Sequence, residues 1–221
     1  MIHSSLKAAK VLKIGTLALL LGIGFKVSAQ NNFRLGLHFS PNFGWFKSDE
    51  NNLENDGSVL NYSYGLITEF NLGESQNYAV ATGLSVFNQS GALKVEDENG
   101  DIEVKQRLQY LEIPAVLKLK SNEIGYLTYF GKFGLSNKFN IAAETETKFG
   151  GQENTETNKS DVQFYSASLL VGVGAEYNLS GNTSFLFGLD FHNGFTNLYT
   201  KDSDIGKVRP YNITISAGVM F

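Results

Sequence analysis

The closing residues 211–221 constrain this chain more than any other stretch. Tyr211, Ile213, Ile215, Ala217, Val219 and Phe221 are apolar, and Asn212, Thr214, Ser216, Gly218 and Met220 alternate with them. Such period-two alternation marks a strand with two unlike faces. The strand runs to Phe221 without a turn.

The same alternation recurs along the chain. Strands are expected at 33–45, 60–72, 78–90, 104–120, 124–139, 164–179 and 183–198, with the closing strand as the eighth. The first shows the rule: Phe33, Leu35, Leu37, Phe39, Phe43 and Trp45 share one face, opposite Arg34, Gly36, His38, Ser40, Asn42 and Gly44. The connections alternate in length. Long polar ones cover 46–59, 91–103, 140–163 and 199–210; short ones cover 73–77, 121–123 and 180–182. Up-and-down outer-membrane barrels have this asymmetry, with short periplasmic turns and long outer loops. An even strand count then puts both termini on the periplasmic side. The composition agrees, because 23 Gly, 3 Pro and 13% aromatic residues suit many strands rather than helices.

Alternation alone does not say which face is inside, since a soluble barrel carries the pattern inverted. Two features favour the membrane form. The less apolar face is built from Gly, Ser and Asn, which fit the crowded interior of an eight-stranded barrel. Tyr62, Tyr64, Tyr78, Tyr177, Tyr211 and Phe221 are placed toward strand ends, as interfacial aromatic girdles require. The expected fold is all-β: an eight-stranded antiparallel up-and-down transmembrane β-barrel, preceded by a cleaved signal peptide.

Residues 1–29 have the signal pattern. Lys7, Lys10 and Lys13 precede an apolar run from Ile14 to Phe25, and Val27-Ser-Ala29 offers small residues for cleavage. The run is shorter than the roughly 20 residues a membrane helix needs. The expected division is therefore a signal peptide at 1–29 and a barrel domain at 30–221. Removing the leader's four lysines takes the formal charge from −4 to −8. That balance argues against nucleic acid, whose phosphates demand a basic patch. With no Cys, the chain has no disulfide, thiolate metal site or lipoprotein anchor.

The closing strand resembles that of bacterial outer-membrane barrels, which commonly ends on Phe. Tyr211, Ile213, Ile215, Ala217, Val219 and Phe221 thus form the expected insertion signal, read by the barrel-assembly machinery. The run Tyr110-Leu-Glu112-Ile-Pro114-Ala-Val-Leu-Lys118 is similar to a Tyr-x-Glu-(Ile/Val)-Pro-x-x-x-Lys signature of the PorT-like porin-family barrels of Bacteroidetes. The first strand, with Gly36 and Pro41-Asn42, and the leader ending Ser-Ala-Gln30 are similar to that family too. The resemblance implies an outer-membrane location amid lipid and lipopolysaccharide. The family's namesake takes part in type IX secretion.

The inward face should carry Arg34, Lys118 and Lys132 against Glu69, Glu112, Glu176 and Asp190. An isolated charge in that confined space is costly, so these groups should pair and plug the lumen; an ion path is the alternative. Pro114 removes a ladder donor and should leave a local irregularity. His38, Asp190 and His192 are weak catalytic candidates, with Ser184 or Ser216 as nucleophile. The loops are acidic, with Asp49, Glu50, Glu54, Asp56, Glu96, Asp97, Glu98, Asp101, Glu103, Glu144, Glu146, Glu153, Glu156 and Asp161. They lack an ordered ligand spacing, so no metal or other cofactor is expected. The functional expectation is a non-enzymatic barrel acting structurally or through its outer loops. The alternatives are an accessory of an envelope or type IX-like secretion complex with a protein partner, a rim hydrolase or acyltransferase, and a narrow pore.

Overall fold

A computed structural model describes residues 32–49, 53–73, 75–95, 102–149, 152–157, 161–200 and 206–221. The expected signal peptide at 1–29 lies outside the described residues. The barrel strands are β1 (Phe33–Ser48), β2 (Leu53–Leu72), β3 (Tyr78–Val95), β4 (Ile102–Lys120), β5 (Leu127–Phe149), β7 (Tyr165–Ser180), β8 (Thr183–Gly194) and β9 (Val208–Met220). A ninth strand, β6 (Gln152–Thr157), pairs only with the far end of β5.

The eight barrel strands pair in chain order, all antiparallel, and the sheet closes when β1 meets β9. Phe39 faces Ala217, Phe43 faces Ile213 and Trp45 faces Tyr211 across that seam. Leu35 and Phe221 exchange backbone bonds of 2.7 and 3.2 Å at its end. Closure removes the sheet edge, which lipid could not hydrate. β1 starts and β9 stops at one end, here called the terminal end. The connections between β2 and β3, β4 and β5, and β7 and β8 lie there, and the longer connections lie at the opposite loop end.

The faces are sorted as a lipid-embedded barrel needs. Leu37, Phe39, Val173 and Phe187 point outward and are more than half exposed, while Ser40, Asn42, Ser136 and Asn212 point inward and are almost wholly buried. Glycines inside make room for large neighbours. A Cβ on Gly174 would fall 2.4 Å from the Phe130 ring, and one on Gly91 would fall 2.5 Å from the ring of Phe46.

The strands are longer at the loop end than the alternation predicts. β2 begins at Leu53, β3 runs to Val95 and β5 runs to Phe149, so much of the expected loops 46–59, 91–103 and 140–163 is paired sheet. The seventh expected strand is shorter, ending at Gly194. Tyr62 and Tyr64 consequently sit in the middle of β2 rather than at its end, stacked in a row with Phe39. The Asn99-Gly100 turn and Gly150-Gly151 lie outside the described residues. Two of the three strand prolines, Pro114 and Pro41, sit beside a ladder break. β3 and β4 pair at Thr82–Ala115 and Ser85–Glu112 but not between, beside Pro114, whose carbonyl accepts from Thr82 at 2.6 Å. The β1–β9 ladder skips Ser40 and Pro41 in the same way.

Leu189 lies on the outward face midway along β8, opposite Val173 and Ile215. In vesicles, Leu189→Arg should lower stability by about 2–4 kcal/mol, against about 0–1 for Ser180→Arg at the terminal-end turn. Urea titration of the refolded variants measures both.

Candidate functional site

The residues with chemical potential converge on the lumen, which is filled in three layers from the terminal end to the loop end.

The first layer centres on Lys118 of β4, which is 1% exposed. Inward alternation along β4 aims it at Glu69 of β2, and its ammonium donates there and, at 2.5 Å, to Glu176 of β7. Arg34 of β1 donates to Glu176 at 2.5 Å and to the Ser184 hydroxyl at 2.5 Å. Lys120 donates to Asn71 at 2.6 Å and lies 3.7 Å from Glu69. The Lys118 ammonium also sits 4.2 Å from the centroid of Phe130, whose ring rests against Gly174. Three cations thus enclose two carboxylates from four strands.

The second layer lies further up the barrel. Lys132 of β5 reaches Asp190 of β8 at 3.0 Å, and Ser216 of β9 donates to the same carboxylate at 2.7 Å. Glu112 accepts from Ser136 and lies 3.9 Å from Nδ1 of His192. Lys138, opposite Glu112 in the β4–β5 register, stands 3.8 Å over the Phe87 ring and donates to Gln89 at 3.4 Å. A cavity of about 80 Å³ remains here, bounded by His38, Ser85, Glu112, Lys132, Asp190 and Ser216.

The third layer is apolar. Phe46, Phe87, Leu93, Leu108, Tyr110, Ala143, Val162, Leu198, Tyr199 and Val208 form one buried cluster at the loop end. It begins where a β-bulge at Gln109/Tyr110 steps the β4–β5 register. Two connecting segments fold into the mouth. Val162 bridges Tyr199, Gln163 donates to Leu198 at 2.9 Å and Thr200 donates to Asp161 at 2.9 Å. Burial pushes the Tyr199 phenol up to about 12, with the Asp161 carboxylate adding to the rise.

Every charge expected in the lumen is there: Arg34, Glu69, Glu112, Lys118, Lys132, Glu176 and Asp190. They divide into two clusters rather than one network. Lys120 and Lys138 were not anticipated, although each continues the inward parity of its strand and could have been found by extending it. They leave the two clusters with one cation in excess of the carboxylates among the described residues.

The catalytic candidates share the lumen without forming a relay. His38 places Nδ1 2.9 Å from Ser40 and Nε2 2.8 Å from Ser85. Ser216 gives its proton to Asp190, not to an imidazole. Nδ1 of His192 has no hydrogen-bond partner, and Ser184 belongs to the first layer, with Arg34 and Glu176. A nucleophile within reach of a base that a carboxylate orients is therefore missing among these residues. Of the acidic loop residues, Asp49 pairs with Arg209 at 2.8 Å and Glu146 with Arg107 at 2.7 Å.

A closed antiparallel barrel, apolar outside and charge-paired within, defines an integral β-barrel membrane protein. The chain belongs to the family described as "Outer membrane protein beta-barrel domain", which matches residues 28–200. No curated protein matches it in sequence. Among solved structures it is similar to OprG of Pseudomonas aeruginosa, at 14% identity and a TM-score of 0.47 over 86% of this chain and 95% of that one. Neisserial surface protein A gives 14% and 0.46, over 84% and 95%. Ail of Yersinia pestis gives 14% and 0.43, over 86% and 99%.

Replacing Lys118 with Met would leave Glu69 and Glu176 buried without their shared ammonium, a loss of about 3–5 kcal/mol. The double change Lys118→Met, Glu69→Gln should recover part of it, because Glu176 keeps its 2.5 Å pair with Arg34 and no carboxylate is left without a cation. Thermal loss of the heat-modifiable folded band compares the two.

Proposed function

We propose that this outer-membrane barrel is a sealed, non-catalytic scaffold that acts through its loop end. The observation that carries the reading is Lys118 buried between Glu69 and Glu176, with Arg34 closing the same cluster. Solutes passing through would have to break those pairs and then displace the apolar plug around Phe46 and Tyr199. Ser216 bonded to Asp190, and His38 held between Ser40 and Ser85, favour reading these groups as lumen packing. The extended β2–β6 sheet supports an interaction role, since it carries the described structure well past the plug.

The Tyr110, Glu112, Pro114 and Lys118 motif supports kinship with the PorT-like barrels of Bacteroidetes, and it suggests what the motif does. Tyr110 is in the plug, Glu112 and Lys118 are in the two charge layers, and Pro114 marks the ladder break. On this reading the signature preserves a sealed lumen and does not itself recognise a secretion partner. A secretion or envelope accessory role would then reside in the loop end, which this reading puts outside the cell, with both termini periplasmic.

Because the chain has no Cys, single cysteines report cleanly. In intact cells, Thr155→Cys on β6 should react with an impermeant maleimide, and Glu123→Cys at the terminal end should react only after lysis. The reverse pattern would invert the barrel. A photocrosslinker at Thr155→Cys should yield a discrete adduct with an envelope component, and the same probe at Leu189→Cys should yield none. Equal behaviour at both sites would remove the interaction role.

A further inference from the structure

The outer surface carries a feature that the sealed lumen does not explain. Trp45 of β1, Tyr211 of β9 and Phe191 of β8 form an aromatic face, with Trp45 and Tyr211 stacked at 5.9 Å and Phe191 6.4 and 6.3 Å from them. One outward position further toward the loop end, Lys47 lies directly opposite Arg209 in the β1–β9 register. Like charges directly opposite on a sheet face are destabilising. Beyond them the Asp49 amide donates to the carbonyl of Lys207 at 3.0 Å, bringing a third cation alongside. Asp49 holds Arg209 at 2.8 Å, and both side chains are more than two-fifths exposed. Lys47 and Lys207 are exposed too. Two rungs therefore present three cations and one carboxylate, about one strand repeat of ~7 Å beyond the aromatic face. Arg107, another exposed cation, is arranged differently: it faces Glu144 in register and pairs with Glu146.

A cation cluster set on the polar side of an interfacial aromatic belt matches one ligand chemistry, a phosphate joined to an apolar body. We propose that Lys47, Lys207 and Arg209 bind the phosphate of an anionic lipid headgroup whose chains lie against Trp45, Tyr211 and Phe191. The bound phosphate offsets the repulsion between Lys47 and Arg209. Asp49 orients the guanidinium and limits affinity, because it competes for the same charge. The assignment holds whichever leaflet the loop end occupies, so it stands independently of the scaffold reading.

Trp45 is the chain's single tryptophan, so its fluorescence reports on this site alone. Refolded barrel in phosphatidylcholine vesicles is compared with equal fractions of brominated phosphatidylglycerol or brominated phosphatidylcholine. Trp45 should be quenched more by the anionic lipid, and sodium chloride should narrow the difference. Lys47→Gln with Lys207→Gln, which spares the Arg209–Asp49 pair, should reduce the preference by about tenfold. Asp49→Asn should widen it, a gain that misfolding cannot imitate. Equal quenching by both lipids, an unchanged preference in the double variant, or a loss in Asp49→Asn would overturn the proposal. So would erasure of the preference by inorganic phosphate beyond the effect of chloride at equal ionic strength, which would indicate a free-anion site.

Discussion

The pairing of β1 with β9 is the constraint on which the rest of this molecule depends. Hydrocarbon offers no partner to a backbone amide or carbonyl, so an open sheet edge in lipid would leave several such groups unmet. The Phe39–Ala217 to Trp45–Tyr211 register meets that demand and turns the sheet into a cylinder. Closure then dictates the side chains. Every outward position between the girdles must tolerate lipid, hence the rows of Leu, Phe and Val. Every inward position must share a lumen only wide enough for side chains.

Charge inside so narrow a lumen has to be neutralised locally. Lys118 lies between Glu69 and Glu176, and Lys132 pairs with Asp190, so each carboxylate contact comes from a different strand. The ion pairs therefore tie β2, β4 and β7 together, and separately β5 to β8, across the lumen, complementing the ladders that join neighbours. Buried pairs of this kind are weak as net stabilisers, but removing one partner is severe. Their value here lies in fixing which strands face one another and in closing the passage. The apolar plug completes the seal by a separate route, with Val162 and Tyr199 brought into the mouth by backbone bonds.

Much of this was legible in the chain because lipid makes alternation strict. The closing strand, the strand count and the seven lumen charges follow from parity, and the direction of the faces follows from the Gly, Ser and Asn on the inner one. Past the membrane the outward face meets water, so polar residues stand on both faces and the alternation fades although the pairing continues. Residues 53–59, 91–95 and 140–149 therefore read as polar loops but are sheet. Lys138 is two residues past Ser136 on the same inward parity of the fifth strand, so it is legible from alternation even though it stands near the strand's expected end. The plug was invisible, since it joins Phe46, Tyr110, Val162 and Tyr199 from distant parts of the sequence through segments without periodicity. Among the catalytic candidates, parity correctly put His38, Asp190 and His192 in one lumen. It could not reveal that Ser216 turns to Asp190 and that His38 is held between two serines.

The central claim is that the lumen is sealed twice, by paired charge and by apolar packing. Single-channel recording of the refolded protein in planar bilayers at high salt tests it most directly. The account predicts a silent membrane from the folded barrel, with no steps at any holding potential that leaves the bilayer intact. Stepwise currents whose size or ion selectivity changes when Lys118 or Glu112 is substituted would contradict it, because ions would then be passing through the groups assigned to the seal.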